Sequence, residues 1–166
     1  IAWERLLQPK VEIELALLLG ADLPAGEISR EQLLASIAGV VPALEINDSA
    51  IAGWQLTVLD AVADNLSSGL YVLGEQPLPL AQLHGQKLLG MLHCNGQPLR
   101  TDVVIALDDV LDTALWLVRK MAALGQPLHA GAVLLSGAQA PIAEVCRGDQ
   151  LRFQVAGLGE VGCLFR

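Results

Sequence analysis

The sequence predicts an α+β fold, β-rich and with two main helices. Three observations carry this prediction. Near the start, Val11-Glu12-Ile13-Glu14-Leu15 alternates apolar and acidic residues, the period-two mark of a strand with one buried face. Two helical stripes stand far apart in the chain. The last third breaks into short β-like runs punctuated by Gly and Pro. This order lacks the βαβα alternation of a doubly wound fold, and 166 residues suit one domain over residues 1–166.

After the first strand, Asp22-Leu23-Pro24-Ala25-Gly26 reads as a turn. Ser29-Arg30-Glu31-Gln32 fits a capping box, with Ser29 as N-cap and Gln32 reaching back. The helix it opens carries Leu33, Leu34, Ile37 and Val41 on one stripe, and Pro42 is expected to end it. Pro42 to Ile46 reads as a short strand bearing Glu45, followed by a turn at Asn47-Asp48-Ser49. Residues 50–66 mix alternating and helical cues. Leu70 to Leu73 reads as a strand closed by Gly74. Lys87 to His93 and Gln97 to Arg100 flank Asn95-Gly96, a strong hairpin signal. Asp112 is expected to cap a helix that runs to Leu124, where Gly125 and Pro127 end it. Four short strands close the chain: Ala132 to Leu135, Ile142 to Val145, Leu151 to Val155 and Val161 to Phe165. No P-loop motif is present.

Composition narrows the function. Hydrophobic residues make up 53% and charged residues 17%, and the mean hydropathy is +0.49. Such a chain builds a large core or buries apolar surface against a partner, which favours a homo-oligomer. No apolar run approaches the roughly 18–20 residues of a membrane helix. No basic segment leads into an apolar one, so a signal peptide is not expected and a cytoplasmic location is. A net charge of −8 argues against nucleic acid or an anionic membrane as partner. Cys94, Cys146 and Cys163 form no CxxC and read as free thiols.

Glu12 and Glu14 lie two apart on the first strand, so their side chains share a face, roughly 6.5–7 Å apart at the backbone. Two like charges on one face repel unless water or a cation lies between them. Hard divalent ions such as Mg²⁺ and Mn²⁺ prefer carboxylate oxygens. Solvated strand faces also carry such pairs without an ion. Glu45 stands in the otherwise apolar Pro42-Ala43-Leu44-Glu45-Ile46, where it needs a partner if buried or faces water at an edge.

These residues resemble a known family. Leu7-Gln8-Pro9-Lys10-Val11-Glu12-Ile13-Glu14-Leu15-Ala16 is similar to the entry into the metal site of 2-hydroxypenta-2,4-dienoate (2-keto-4-pentenoate) hydratases, in the fumarylacetoacetate hydrolase superfamily. Val41 to Ile46 with Asp48-Ser49 resembles the segment giving the third ligand. Asp60 to Gly69 resembles the polar substrate-side segment, and Trp116 to Ala122 with Gly125 and Pro127 the late helix. Leu134 to Ala138, Gly148-Asp149 and Gly157-Leu158-Gly159 resemble the closing β segments.

The resemblance spans nearly the whole chain in order. It implies a fumarylacetoacetate hydrolase C-terminal-type fold of mixed sheets or a β-roll. It also implies Mg²⁺ or Mn²⁺ held by Glu12, Glu14 and Glu45. The implied substrate is a small 2-oxo or 2-hydroxydienoic acid, contacted by Asp64, Asn65, Ser67 and Ser136. Asp64 and Asn65 equally fit a plain Asx-turn. The implied reaction is hydration in aromatic-compound breakdown, by a carbon–oxygen lyase. The alternatives are a 4-oxalocrotonate-type decarboxylase and a catalytically impaired homologue serving as a binding or structural subunit.

Three departures qualify the match. Family members carry an upstream portion that supplies a lysine and an acidic residue, and eleven residues precede Glu12 here. Asp108-Asp109-Val110 stands where a Gly-(His/Asn)-Pro step is usual. Ala130-Gly131-Ala132 replaces an Ala-Gly-Asp turn. His84, His93 and His129 read as surface or satisfied core residues, and Trp3, Trp54 and Trp116 as packing residues.

Overall fold

A computed structural model describes residues 1–83 and 87–166; His84 lies outside the described residues. Strand β1 (Pro9–Leu19) pairs antiparallel along almost its whole length with β2 (Ile37–Asp48). β3 (Ser68–Leu73) adds to the far edge of β2. The other edge of β1 is shared by two short strands, β6 (Val133–Leu135) and β7 (Ala143–Glu144). A second sheet has the order β5-β4-β8-β9, built from β4 (Lys87–Cys94), β5 (Gln97–Ala106), β8 (Gln150–Val155) and β9 (Gly159–Leu164). Every pairing among the described strands is antiparallel. Among the described residues, three α-helices accompany the sheets: α1 (Arg30–Ser36), α2 (Val58–Ala63) and α3 (Leu107–Ala123). The α+β, β-rich class read from the sequence is the one observed.

β1 shows how sequence becomes packing. Val11, Ile13, Leu15, Leu17 and Leu19 all point into the main core and are buried. On the opposite face Ala16 joins Val41 and Ala43 in a small second cluster, covered by Leu18, Leu73, Val133 and Leu135. The alternation is therefore one-sided only in the first half of the strand, where Glu12 and Glu14 stand. In the second sheet Phe153 lies fully buried beneath Gly90, where an added Cβ would meet Phe153 Cε2 at 2.9 Å. α3 turns Leu107, Val110, Leu111, Ala114, Val118 and Ala122 inward, a helical stripe of i, i+3, i+4 spacing.

Several expectations are corrected. The helix opened by the Ser29 capping box ends at Ser36, and Ile37 already begins β2. Ile37, Val40 and Val41 are β-branched and lie buried, and Val40 and Val41 fill opposite faces of the sheet, so strand pairing outweighs the helical spacing. Pro42 lies inside β2 instead of stopping a helix. Its carbonyl accepts from Gly74 N, so its missing N–H also faces the side where pairing with β3 ends, and no β1 hydrogen bond is lost. Asn47 and Asp48 are strand residues and not a turn. α3 starts at Leu107 directly after β5, with Asp108 and Asp109 in its first turn, and Asp112 lies within the helix. The mixed signals of 50–66 resolve into a 3₁₀ turn at Ala52–Trp54 and the short α2, capped by Thr57 and Asp60.

The hairpin expected at Asn95-Gly96 is present, with positive φ at both residues (54° and 77°), as a type I′ turn requires. Gly125, at φ 74°, follows the end of α3 as expected. Cys94, Cys146 and Cys163 are free. Trp3 packs edge-on against Phe165, with ring centroids 6.0 Å apart. Trp116 is mostly exposed and is no packing residue. No helix among the described residues is long and apolar enough to cross a membrane.

Candidate metal centre

Glu12 and Glu45 are direct partners in the β1–β2 register, and Glu14 lies opposite Ala43. Directly opposed residues point to the same side of an antiparallel sheet, and so do residues two apart on one strand. The pairing therefore brings all three carboxylates onto one face. One ligand oxygen from each lies within 4.8 Å of the others. Glu14 is almost wholly buried, while Glu12 and Glu45 are partly open.

The local backbone explains the opening. β7 covers β1 at Lys10 and Val11, and β6 covers it from Ala16 to Leu18. Between them the edge strand gives way to a loop, tied down by Ser136 N to Leu15 O (2.9 Å) and Gln139 N to Ile13 O (2.9 Å). At this gap Gly137 N donates to Glu14 Oε2 at 2.7 Å. On the β3 side Ser68 Oγ donates to Glu45 Oε1 at 3.1 Å. Gly137 adopts φ 80°, a conformation that glycine reaches at little cost.

The electrostatics are unfavourable without a counter-ion. Among the described residues no lysine or arginine pairs with the three glutamates. Lys10 shares their face of β1, but its Nζ is held by Glu144 at 2.9 Å and lies 4.8 Å from the centre of the Trp54 ring. Burial pushes the Glu14 carboxyl up to about 8, helped by the neighbouring Glu45 and Glu12 and opposed by the Gly137 N–H. Burial and Glu45 raise Glu12 as well.

A divalent cation fits this donor set. Mg²⁺ and Mn²⁺ hold oxygens at about 2.1 Å, which places ligand oxygens about 3–4.2 Å from one another. Three hard oxygens within 4.8 Å need only a small inward adjustment. Gly137→Ala tests the support of Glu14. The left-handed backbone would cost about 1–2 kcal/mol with a side chain. Displacing the N–H is expected to weaken Mn²⁺ binding about 10-fold, as loss of an outer partner does at metal sites. Urea unfolding and a Mn²⁺ titration read the two effects.

The remaining expected site residues fall into two places. Ser136 borders the gap. Its hydroxyl accepts from Leu15 N (2.9 Å) and Gln139 Nε2 (3.2 Å) and donates to Gly137 O (3.0 Å). Asp64 accepts from Ser49 Oγ (2.7 Å) and Ser67 Oγ (2.8 Å), and these two hydroxyls hold its carboxyl below the usual range. Ser67 is buried and Asn65 is exposed. Asn65, Leu66 and Ser67 all lie in the left-handed region, with φ 51°, 55° and 59°, a strained turn that the Asp64 hydrogen bonds hold in place. This turn meets the glutamates through Ser68.

Sequence reasoning missed Ser68, Gly137 and Asn47. Ser68 follows an expected site serine. Gly137 stood only within Leu134 to Ala138, the stretch that resembles a closing β segment. Asn47 stands two residues beyond Glu45, so period two, had the strand been carried that far, would have put it on the same face.

The chain is similar to known proteins over nearly its whole length. The family described as fumarylacetoacetate (FAA) hydrolase C-terminal matches residues 2–165. A "TodF product hydratase" of Pseudomonas putida is 41% identical over 166 residues, covering 99% of this chain and 62% of that protein. A 2-keto-4-pentenoate hydratase of Paraburkholderia xenovorans is 43% identical over 156 residues, covering 93% of this chain and 58% of that protein. The chain thus spans about three fifths of the length of these relatives. Among solved structures, the 4-oxalocrotonate decarboxylase of Pseudomonas putida G7, complexed with magnesium and adipate, superposes with a TM-score of 0.84 at 23% identity. That alignment covers all of this chain and 64% of the other.

Proposed function

The chain belongs to the fumarylacetoacetate (FAA) hydrolase C-terminal family, and on that premise we propose that it is a divalent-metal-dependent hydratase of a small 2-hydroxy-2,4-dienoate or 2-oxo-4-enoate. One observation carries the proposal: three carboxylates converge on one sheet face, and no cationic side chain among the described residues neutralises them. Relatives at 41% and 43% identity bear hydratase names, which favours hydration over decarboxylation.

Glu12, Glu14 and Glu45 would hold the ion, Mg²⁺ or Mn²⁺. Bound there, such an ion supplies charge neutralisation for the substrate anion and polarises the oxygen next to its carboxylate. The protein's own groups set the geometry. Gly137 N–H fixes the Glu14 carboxylate, and the Ser68 hydroxyl fixes that of Glu45. The loop at Ser136 and the turn holding Asp64, Asn65 and Ser67 form the walls that receive the substrate, with Ser136 and Ser67 shaping them through their hydrogen bonds. In the net reaction the 2-enol becomes a 2-oxo group, its hydroxyl proton being replaced by one added at carbon, and one water adds across the carbon–carbon double bond that remains. Exposed apolar residues such as Val58, Leu59 and Val62 support a homo-oligomer.

The test mixes the protein with Mg²⁺ or Mn²⁺ and 2-hydroxypenta-2,4-dienoate and follows dienol absorbance and products. Metal-dependent hydration that disappears in Glu45→Ala is the expected result. Metal binding without turnover would refute the hydratase assignment for this chain, and CO₂ release from 4-oxalocrotonate would assign a decarboxylase instead.

A further inference from the structure

We propose that Asn47 is a specificity-determining residue of the glutamate site, its side-chain amide donating a hydrogen bond to an oxygen of the small acid bound there. The inference rests on the reading that Glu12, Glu14 and Glu45 hold a cation. Asn47 pairs with Lys10 across the β1–β2 ladder and lies two residues from Glu45, so it shares the face of the three glutamates. It is only 6% exposed. Its Nδ2 is buried and has no hydrogen-bond partner among the described residues. The amide lies against Glu12, close enough to oppose the rise of that carboxyl, yet without a well-formed hydrogen bond.

A buried donor with no acceptor is costly, and a strand face has room for an apolar residue in its place. Lys10, the residue opposite, offers no acceptor, and its own charge is taken up by Glu144. Lone pairs of Glu12 that turn toward a cation are lost to the amide. What then satisfies Nδ2 is an oxygen brought in by the ligand. A 2-oxo acid carries a carboxylate and an adjacent oxygen, all of them acceptors. An amine or a hydrocarbon would leave the donor orphaned, so Asn47 selects for an oxygen-rich anion and orients it on the Glu12 side.

The experiment titrates Mn²⁺ alone by calorimetry, then oxalate into the Mn²⁺-saturated protein, for wild type and Asn47→Leu. Leucine keeps similar bulk and removes the donor. Mn²⁺ affinity is expected to stay within about 3-fold, and oxalate affinity to fall about 10-fold or more, the loss of a hydrogen bond to a charged acceptor. Asn47→Ser, which retains a donor, is expected to lose less, and it replaces the leucine variant if thermal melts show that one unfolded. Unchanged oxalate affinity would overturn the inference. So would an equal loss of Mn²⁺ and oxalate, because Asn47 would then build the cation site without reading the ligand. Wild-type protein that fails to bind Mn²⁺ overturns the cation reading itself, a result distinct from either.

Discussion

Glu14→Gln is expected to stabilise the cation-free protein at pH 9 and to weaken Mn²⁺ binding by about 100-fold. Both effects have one origin. Glu14 is 1% exposed, and its carboxyl is pushed from 4.5 up to about 8 by burial and by Glu45 and Glu12. A group whose folded pKa is raised contributes stability that is fully present below its unfolded value and lost as pH rises through its folded value. Wild-type stability in chelator should therefore decline between about pH 4.5 and about pH 8 through this group. Glutamine is neutral at every pH and removes that decline. The melting curves of the two proteins should diverge with pH and differ most at pH 9. Mn²⁺ at a concentration that just saturates the wild type should restore it and stabilise the variant far less, because binding to the native state stabilises it by mass action. The affinity loss is set near the upper end of what altered partners cost metal sites, since here a proposed ligand itself goes. Parallel melting-temperature profiles for the two proteins would show that Glu14 carries no such charge conflict.

The largest loss of stability is expected from Phe153→Ala. Phe153 is fully buried in β8, next to β4, with its ring in the space that Gly90 leaves open. Removing a buried aromatic side chain costs about 3–5 kcal/mol, part transfer and part cavity. Gly90 cannot close over the void, because it has no side chain to move into it. With a urea slope of about 2 kcal/mol per molar, the midpoint should fall by about 2 M with the slope unchanged. Phe153→Leu should cost much less, about 1.5 kcal/mol or under. The glutamates lie in the other sheet, so the folded variant should bind Mn²⁺ as the wild type does. A shift below about 0.5 M would mean that the β8 layer repacks around the gap.

These two residues also differ in how they were legible. Glu14 announced itself by alternation with Val11, Ile13 and Leu15, and the strand is there. Phe153 stood in an expected strand, but its importance comes from Gly90 on β4, sixty-odd positions earlier in the chain. The helix expected through Val41 failed for a related reason. The spacing of Leu33, Ile37 and Val41 suits a helix, yet β1 and β3 were both available to pair with 37–48, and burial on both faces rewarded a strand. The start of α3 at Leu107 shows the same limit, because β5 feeds straight into the helix and needs no side-chain cap.

By itself, the sequence determined the β-rich α+β class, the Asn95-Gly96 hairpin, the Ser29 capping box and the shared face of Glu12 and Glu14. Each of these is a local matter of backbone preference and side-chain period, settled within a few residues. Tertiary structure alone decided that Glu45 would lie opposite Glu12, that the gap between β6 and β7 would bring Gly137 to Glu14, and that Lys10 would turn away to Glu144. The physical reason is register. A slip of one residue between β1 and β2 would send Glu45 to the other face, and that choice is made by the summed packing of the whole sheet, not by the residues of the site.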